Sequence, residues 1–364
     1  MSDNPEENLE VEEENDEAPY VEFDISVAPS DPTLELLAQQ LGKSDIIIPF
    51  YQRKYVWKIE QASRLIESFL MGLPVPQVFF YVNNENQLEV IDGQQRMMSV
   101  KYFFEGYFGE EDSKGARQVF KLKGLSERSE YNGKTFEQLS PKDQRKLRNS
   151  TLRAISIRQL KPEPKEGGNV SDSVFHIFER LNTGGTSLKP QEIRNAVYRG
   201  RIVEELKKLN AIAEWQKILG LNKPDKNQKD VELILRLFGL YKNWENYQKP
   251  MLAFLNKTMK ENTDFSSSRS KEFAADFERV VKFVSSAIEK PFRPKGVINS
   301  AALEGIMVAL LENKPLDLKI FKERYRSLMA DADFLTKIRG GTTDQKVLVE
   351  RIKRARDILI NGSA

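Results

Sequence analysis

The feature that most limits how this chain can fold is a change of hydrophobic period part-way along it. Up to about residue 160, short β-branched and aromatic runs alternate with helical spacings; from Ser171 onward every periodic segment reads as helix. Asp31-Pro32-Thr33 opens a helix through Gln40, with Gly42 as its stop. Ile46-Ile47-Ile48 reads as a short buried strand ended by Pro49, and Ile59 to Met71 carries Leu65, Ile66, Phe69 and Leu70 at helical spacing. Val78 to Val82 and Leu88 to Ile91 form a predicted hairpin across the turn Asn83 to Asn86. A helix begins right after Gly93. Gly106 to Ser150 reads as a polar insertion, Leu152 to Leu160 as a strand, and Pro162 to Asn169 as a linker-like loop. The later helices are Val174 to Leu181, Pro190 to Tyr198, Ile202 to Leu209, Val231 to Leu240, Phe273 to Ile288, Ala301 to Leu311 and Asp344 to Ile360. Strands with helices, then helices alone, predict an α+β domain followed by an all-α domain. Two domains also suit a chain of 364 residues. The boundaries expected are 1–28 for an acidic tail, 29–200 for the α+β domain and 201–364 for the helical one.

Charge is distributed unevenly. Residues 1–24 hold eleven acids and no Lys or Arg, a composition expected to be disordered. The remainder then has 56 basic against 43 acidic residues, a formal +13. That excess suits a polyanionic partner, DNA or nucleotide phosphates, and equally suits a basic surface with a solubilising tail. No run approaches the apolar length of a membrane span, and the N-terminus lacks a secretory pattern, so no membrane association and a cytoplasmic location are expected. With no cysteine, the sequence has no disulfide, thiolate zinc site or cysteine nucleophile. The single histidine, His176, excludes an HNH centre and an H-E-x-x-H site built from these residues and leaves at most one histidine for a Ser-His-Asp triad. His176 itself, between Phe175 and Ile177, reads as a satisfied helix histidine.

The strongest local signal is Ile91-Asp92-Gly93-Gln94-Gln95-Arg96. A strand delivers the chain to Asp92 and a helix leaves after Gly93. Glycine permits the sharp turn and a close approach by a ligand, while the first amides of the helix point outward as a phosphate cradle. Arg96, one turn along, can fork two phosphate oxygens. Gln94 and Gln95 can orient a water or read a base edge, and Asp92 can hold Mg²⁺ through water. Asp92, Gln95 and Arg96 are therefore the candidate catalytic residues, with Asp92 the candidate metal ligand. The competing reading is that Asp92 only caps the helix and Arg96 sits on a solvated face.

Two further blocks accompany this turn. Pro49-Phe50-Tyr51-Gln52-Arg53-Lys54-Tyr55-Val56-Trp57 interleaves aromatics with cations, so Tyr51, Gln52, Arg53 and Trp57 can stack a base and neutralise phosphate. Alternatively, Tyr55 and Trp57 anchor the next helix in the core. Phe178 to Asn195 is a helix, a loop around Gly184-Gly185, and a second helix opened by Pro190. Arg180, Asn182, Thr183 and Gly184 offer polar groups, and Gln191, Arg194 and Asn195 share a helical face that can close over a ligand. A capped connector explains the same residues. Gly133-Lys134-Thr135 imitates the end of a Walker A loop, but Arg128 stands where its first glycine belongs.

Together these blocks, with Gly72-Leu73-Pro74-Val75-Pro76, resemble the N-terminal domain of GmrSD-type, modification-dependent restriction endonucleases, a family related in fold to ParB and sulfiredoxin. The matches run in order over roughly residues 30–200. The resemblance implies a ParB-like α/β core with nucleotide binding or hydrolysis at Asp92–Arg96, including Gly93 and Gln94, coupled to recognition of modified phage DNA. In the family, cleavage is usually done by an HNH-type domain, fused or encoded separately; with no His-Asn-His constellation here, a separate nuclease partner is expected.

Three readings follow. The first is a nucleoside triphosphatase subunit of a phage-defence system, with Mg²⁺ and a nucleoside triphosphate as ligands and possible homo-oligomers. The second is a DNA-binding module without catalysis. The third is a Mg²⁺-dependent nuclease of ParB fold using Asp92.

Overall fold

The protein is described from a computed structural model, which covers residues 25–49, 55–83, 85–109, 115–160, 177, 180–181, 189–198, 200–294 and 296–362. The chain divides into one compact unit spanning Val21–Leu188 and another that takes up Lys189–Ala364. The first is a mixed α/β unit and the second is helical.

The α/β unit is built on a five-stranded mixed sheet. Its strands are β1 (Ile25–Ser30), β2 (Ile46–Ile47), β3 (Val78–Val82), β4 (Leu88–Asp92) and β7 (Ala154–Gln159), in the order β1-β7-β3-β4-β2. β3 and β4 are the antiparallel hairpin read from the sequence, β7 runs parallel to β3, and β1 closes one edge antiparallel to β7. The β3–β4 register shifts between Phe79 and Phe80, a bulge that lets the strand end opposite Asp92. Helices α1 (Leu34–Lys43), α2 (Ile59–Met71) and α3 (Gln94–Glu105) supply the remainder of the core. Leu37, Ile66, Phe69, Val100 and Phe103 pack there with Val78, Phe80 and Val90 of the sheet. α2 keeps the bounds its spacing predicts, and it stops at Gly72, whose left-handed φ of 74° suits glycine.

Two expectations need correction in this unit. Residues 25–28, assigned to the acidic tail, are the first four residues of β1 and pair with Arg158 and its neighbours in β7. Ile25–Ser30 lacks a clean apolar alternation because it is an edge strand with an exposed outer half, so its pairing comes from tertiary context. The polar insertion 106–150 is also more than surface. It forms β5 (Tyr107–Phe108), β6 (Gln118–Val119) and α4 (Pro141–Asn149), and it buries Phe120, Leu122, Phe136, Leu139 and Leu147. Widely spaced single apolar residues gave no period to read. The insertion is tied to α2 by the Lys123 amide donating to Ser63 Oγ (2.9 Å) and by Ser129 Oγ donating to Glu67 (2.5 Å).

The helical unit contains α5 (Pro190–Val197), α6 (Arg201–Asn210), α7 (Ala213–Leu219), α8 (Lys229–Leu240) and α9 (Met251–Glu261). It continues with α10 (Ser268–Ala287), α11 (Ser300–Leu311), α12 (Leu318–Ala330), α13 (Ala332–Lys337) and α14 (Gln345–Arg356), which runs into a π-helical turn Asp357–Asn361. α8 and α11 are buried on nearly every side and form the centre of the unit. The sequence reading passed over α7, α9, α12 and α13. In α12 the buried stripe Phe321, Tyr325 and Leu328 is blurred by exposed Leu318 and Ile320. In α9 the buried positions include Asn256 and Thr258. No helix among the described residues is long and apolar enough to cross a membrane.

Candidate functional site

The turn between β4 and α3 lies at the end of an interior strand of the sheet. Gly93 sits there with φ 104°, a conformation that disfavours any side chain. It is also packed: a Cβ at this position would lie inside Val78 Cγ1 and 3.3 Å from an Arg96 guanidinium nitrogen. Glycine is thus required by both backbone and sheet. Gly93, the N-cap residue, has no side chain with which to cap α3, and the first internal bond runs from the Met97 amide to the Gly93 carbonyl. The amides ahead of Met97 are therefore not used inside the helix.

Asp92 does not cap that helix. Its Oδ2 instead accepts from an Arg96 guanidinium nitrogen at 2.7 Å, one turn along. Arg96 is 8% exposed and lies beneath the turn rather than on a solvated face. Its Nε is buried with no hydrogen-bond partner, an orphan donor beside an uncapped helix start. One Asp92 oxygen is committed to a guanidinium whose charge repels a second cation, and no metal-holding group of acids or histidine lies among the described residues.

Gln95 is committed elsewhere. Its Oε1 accepts from the Val56 amide (2.9 Å) and the Trp57 amide (3.1 Å), which pins these two residues against the start of α3. The oxygen that would orient an attacking water is thereby filled, and Gln95 acts as a positioning residue. Gln94 is half-buried at the first position of α3. Sequence reasoning missed the clamp because it joins residues 38 and 39 positions apart.

Tyr55 and Trp57 both pack against the core of the α/β unit, and Trp57 keeps part of its ring exposed. The Tyr55 hydroxyl pairs with Ser99 Oγ at 2.8 Å, and its ring meets Tyr102 and Phe108 edge-on. Burial pushes the Tyr55 phenol up to about 12, against the opposing effect of the Ser99 hydrogen bond. Tyr51, Gln52 and Arg53 lie outside the described residues, as do Asn182, Thr183, Gly184 and His176. Arg180 is exposed and helical.

Gln191, Arg194 and Asn195 occur in the helical unit and are 1–2% exposed. They do share a face, and that face turns inward. Gln191 Nε2 donates to Asn195 Oδ1, and Asn195 Nδ2 donates to Gln228 Oε1. Arg194 donates to Gln191, Asn256 and Glu232. From Glu232 the chain of ion pairs continues through Arg236 (3.0 Å) and Glu304 (3.2 Å) to Arg351 (3.0 Å), whose guanidinium also reaches the Thr342 carbonyl. Burial alone would raise the Glu232 carboxyl; Arg194 and Arg236 outweigh it and hold it below the ordinary range. Burial lowers Arg194, while Glu232 and Glu304 hold Arg236 above its ordinary value despite burial. These groups hold the helical unit together, and the expectation that they close over a ligand finds no open face here.

Residues 34–199 match the family model described as the GmrSD restriction endonuclease, N-terminal domain. The stretch takes in all four blocks on which the resemblance was read, from Pro49–Trp57 to Arg180–Asn195. No curated protein matches the chain.

Proposed function

Starting from residues 34–199 as a GmrSD N-terminal domain, we propose that this chain is the nucleotide-binding, nucleotide-hydrolysing component of a GmrSD-type restriction system. The observation that supports this most is the uncapped start of α3 above the orphan Nε of buried Arg96. A triphosphate placed there meets backbone N–H groups and the positive end of the helix dipole. Arg96 supplies a full charge beneath it, and Asp92 holds that guanidinium in one position before the ligand arrives. Gln95 keeps the aromatic stretch ending at Trp57 alongside, where the exposed part of that ring can face a base.

Phosphoryl transfer needs little from a protein beyond positioning and charge stabilisation, and both are available at such a turn. Mg²⁺ belongs to this scheme as a companion of the triphosphate, since Asp92 is held by Arg96. The single histidine of this sequence cannot build an HNH centre, so cleavage by such a centre falls to a partner or to a further domain. A panel of nucleoside triphosphates with Mg²⁺, scored for binding and phosphate release by the purified chain, tests the assignment. One or more are bound and turned over; a chain that binds none of them is not a nucleotide-dependent component.

A further inference from the structure

Several cations on the helical surfaces of this protein pair with an acid one turn away, as in Arg201–Glu205, Lys257–Glu261, Lys282–Glu278 and Lys346–Glu350. Helix α4 carries three close together without such a pair. Lys142, Arg145 and Lys146 are exposed and have no ion-pair partner among the described residues. At i, i+3 and i+4 they lie on one face as neighbours about 5–6 Å apart, and exposed Asn149 continues the same stripe. The opposite face carries buried Leu147 and half-buried Gln144.

Helix stability does not explain the whole stripe. Lys146 in the last turn suits the helix dipole, but Lys142 is in the first turn, where a cation opposes it, and three like charges within five residues repel one another. The backbone beneath them is nonetheless fixed. Ser140 caps α4 through the Asp143 amide, Gln144 reaches back to the Glu137 and Leu139 carbonyls, and Arg148 lies over the Phe136 ring while pairing with Glu35. α4 therefore presents three unneutralised cations on a rigid support.

We propose that this face of α4 contacts the phosphate backbone of a nucleic-acid duplex. Duplex DNA carries one negative charge per roughly 1.7 Å of axis, so several phosphates come within reach of a stripe this short. Lysine and arginine in such a row fix position on the backbone and carry no sequence information by themselves. The surface is separate from the turn at Gly93, and its test uses none of the residues placed there.

The measurement is binding of an unmodified 20-base-pair duplex to the full chain and to the triple variant K142Q/R145Q/K146Q, from about 50 to 200 mM salt. Each phosphate contact contributes about 0.9 to the slope of log affinity against log salt, so losing three lowers its magnitude by about 2.7. We expect that drop, at least a tenfold weaker affinity at the lowest salt, and a melting temperature equal to or above that of the parent chain. An unchanged slope overturns the proposal. It is also overturned if polyglutamate, at equal charge concentration, displaces the labelled duplex as well as unlabelled duplex does, because the face then suits an acidic polypeptide.

Discussion

Asp92 and Arg96 stand one helical turn apart on either side of Gly93, with carboxylate oxygen and guanidinium nitrogen 2.7 Å apart and both side chains largely buried. A pair in that position restrains the turn and does not use Asp92 to cap α3. The contact makes Arg96 a pre-set charge rather than a mobile surface side chain. It also commits one Asp92 oxygen to Arg96 rather than to capping the helix.

Gly93 is the hinge of this arrangement. Gly93→Ala places a Cβ inside Val78 and forces φ 104° on a residue that avoids it. A loss of about 2–3 kcal/mol in chemical unfolding is expected from strain and overpacking combined. Gly72→Ala is the comparison, since its φ is 74° and nothing lies within 4 Å of the added carbon. It should cost about 1 kcal/mol, the backbone effect alone. Equal losses at the two sites would remove the packing half of the argument.

Gln95 is expected to act on Trp57. Gln95→Ala leaves the Val56 and Trp57 amides without their acceptor, with a cost of about 1–2 kcal/mol and a red shift of fluorescence at Trp57 as the stretch loosens. Gln95→Glu keeps an acceptor and restores the emission, while its added negative charge beside the turn weakens triphosphate binding. Emission and affinity that move together in both variants would contradict a purely positioning role.

The buried ladder in the helical unit predicts an acid limb. Because Glu232 is depressed in the folded protein, its contribution is complete above the ordinary carboxylate value of about 4.3 and is lost as pH falls through the lower folded value. Glu232→Gln strands the Arg194 charge and leaves Arg236 with Glu304 alone, and should cost about 3 kcal/mol at neutral pH. The difference from the parent chain should shrink below about pH 4. Asp331, also depressed through Arg354, titrates in both proteins and drops out of the comparison. A difference that stays constant down to pH 3 would show that Glu232 is not the titrating group.

The sequence carried the local architecture well wherever a period or a punctuating residue spoke for it. α2, the β3–β4 hairpin and the start of α3 follow from residues close together in the chain, and so did the four family blocks. What it could not carry was partnership at long range. β1 is a strand because β7 lies beside it, and the insertion contributes core through isolated residues such as Phe120 and Leu147. The site shows the same division. Gly93 and Arg96 were legible as a turn and a charge, but the Gln95 clamp on Val56 and Trp57 was not. The inward face of Gln191, Arg194 and Asn195 was hidden too, because polar residues at helical spacing look alike whether they meet water or a buried Glu232.

The most direct test of the central claim is calorimetric titration of a nucleoside triphosphate, with Mg²⁺, into the parent chain, Arg96→Ala and Arg96→Lys. All three are measured at a temperature where circular dichroism shows each folded. Removing a buried charge-assisted donor should weaken binding about 10- to 100-fold in Arg96→Ala, with part of that recovered in Arg96→Lys. Equal affinity across the three proteins would show that the triphosphate does not depend on the guanidinium beneath Gly93.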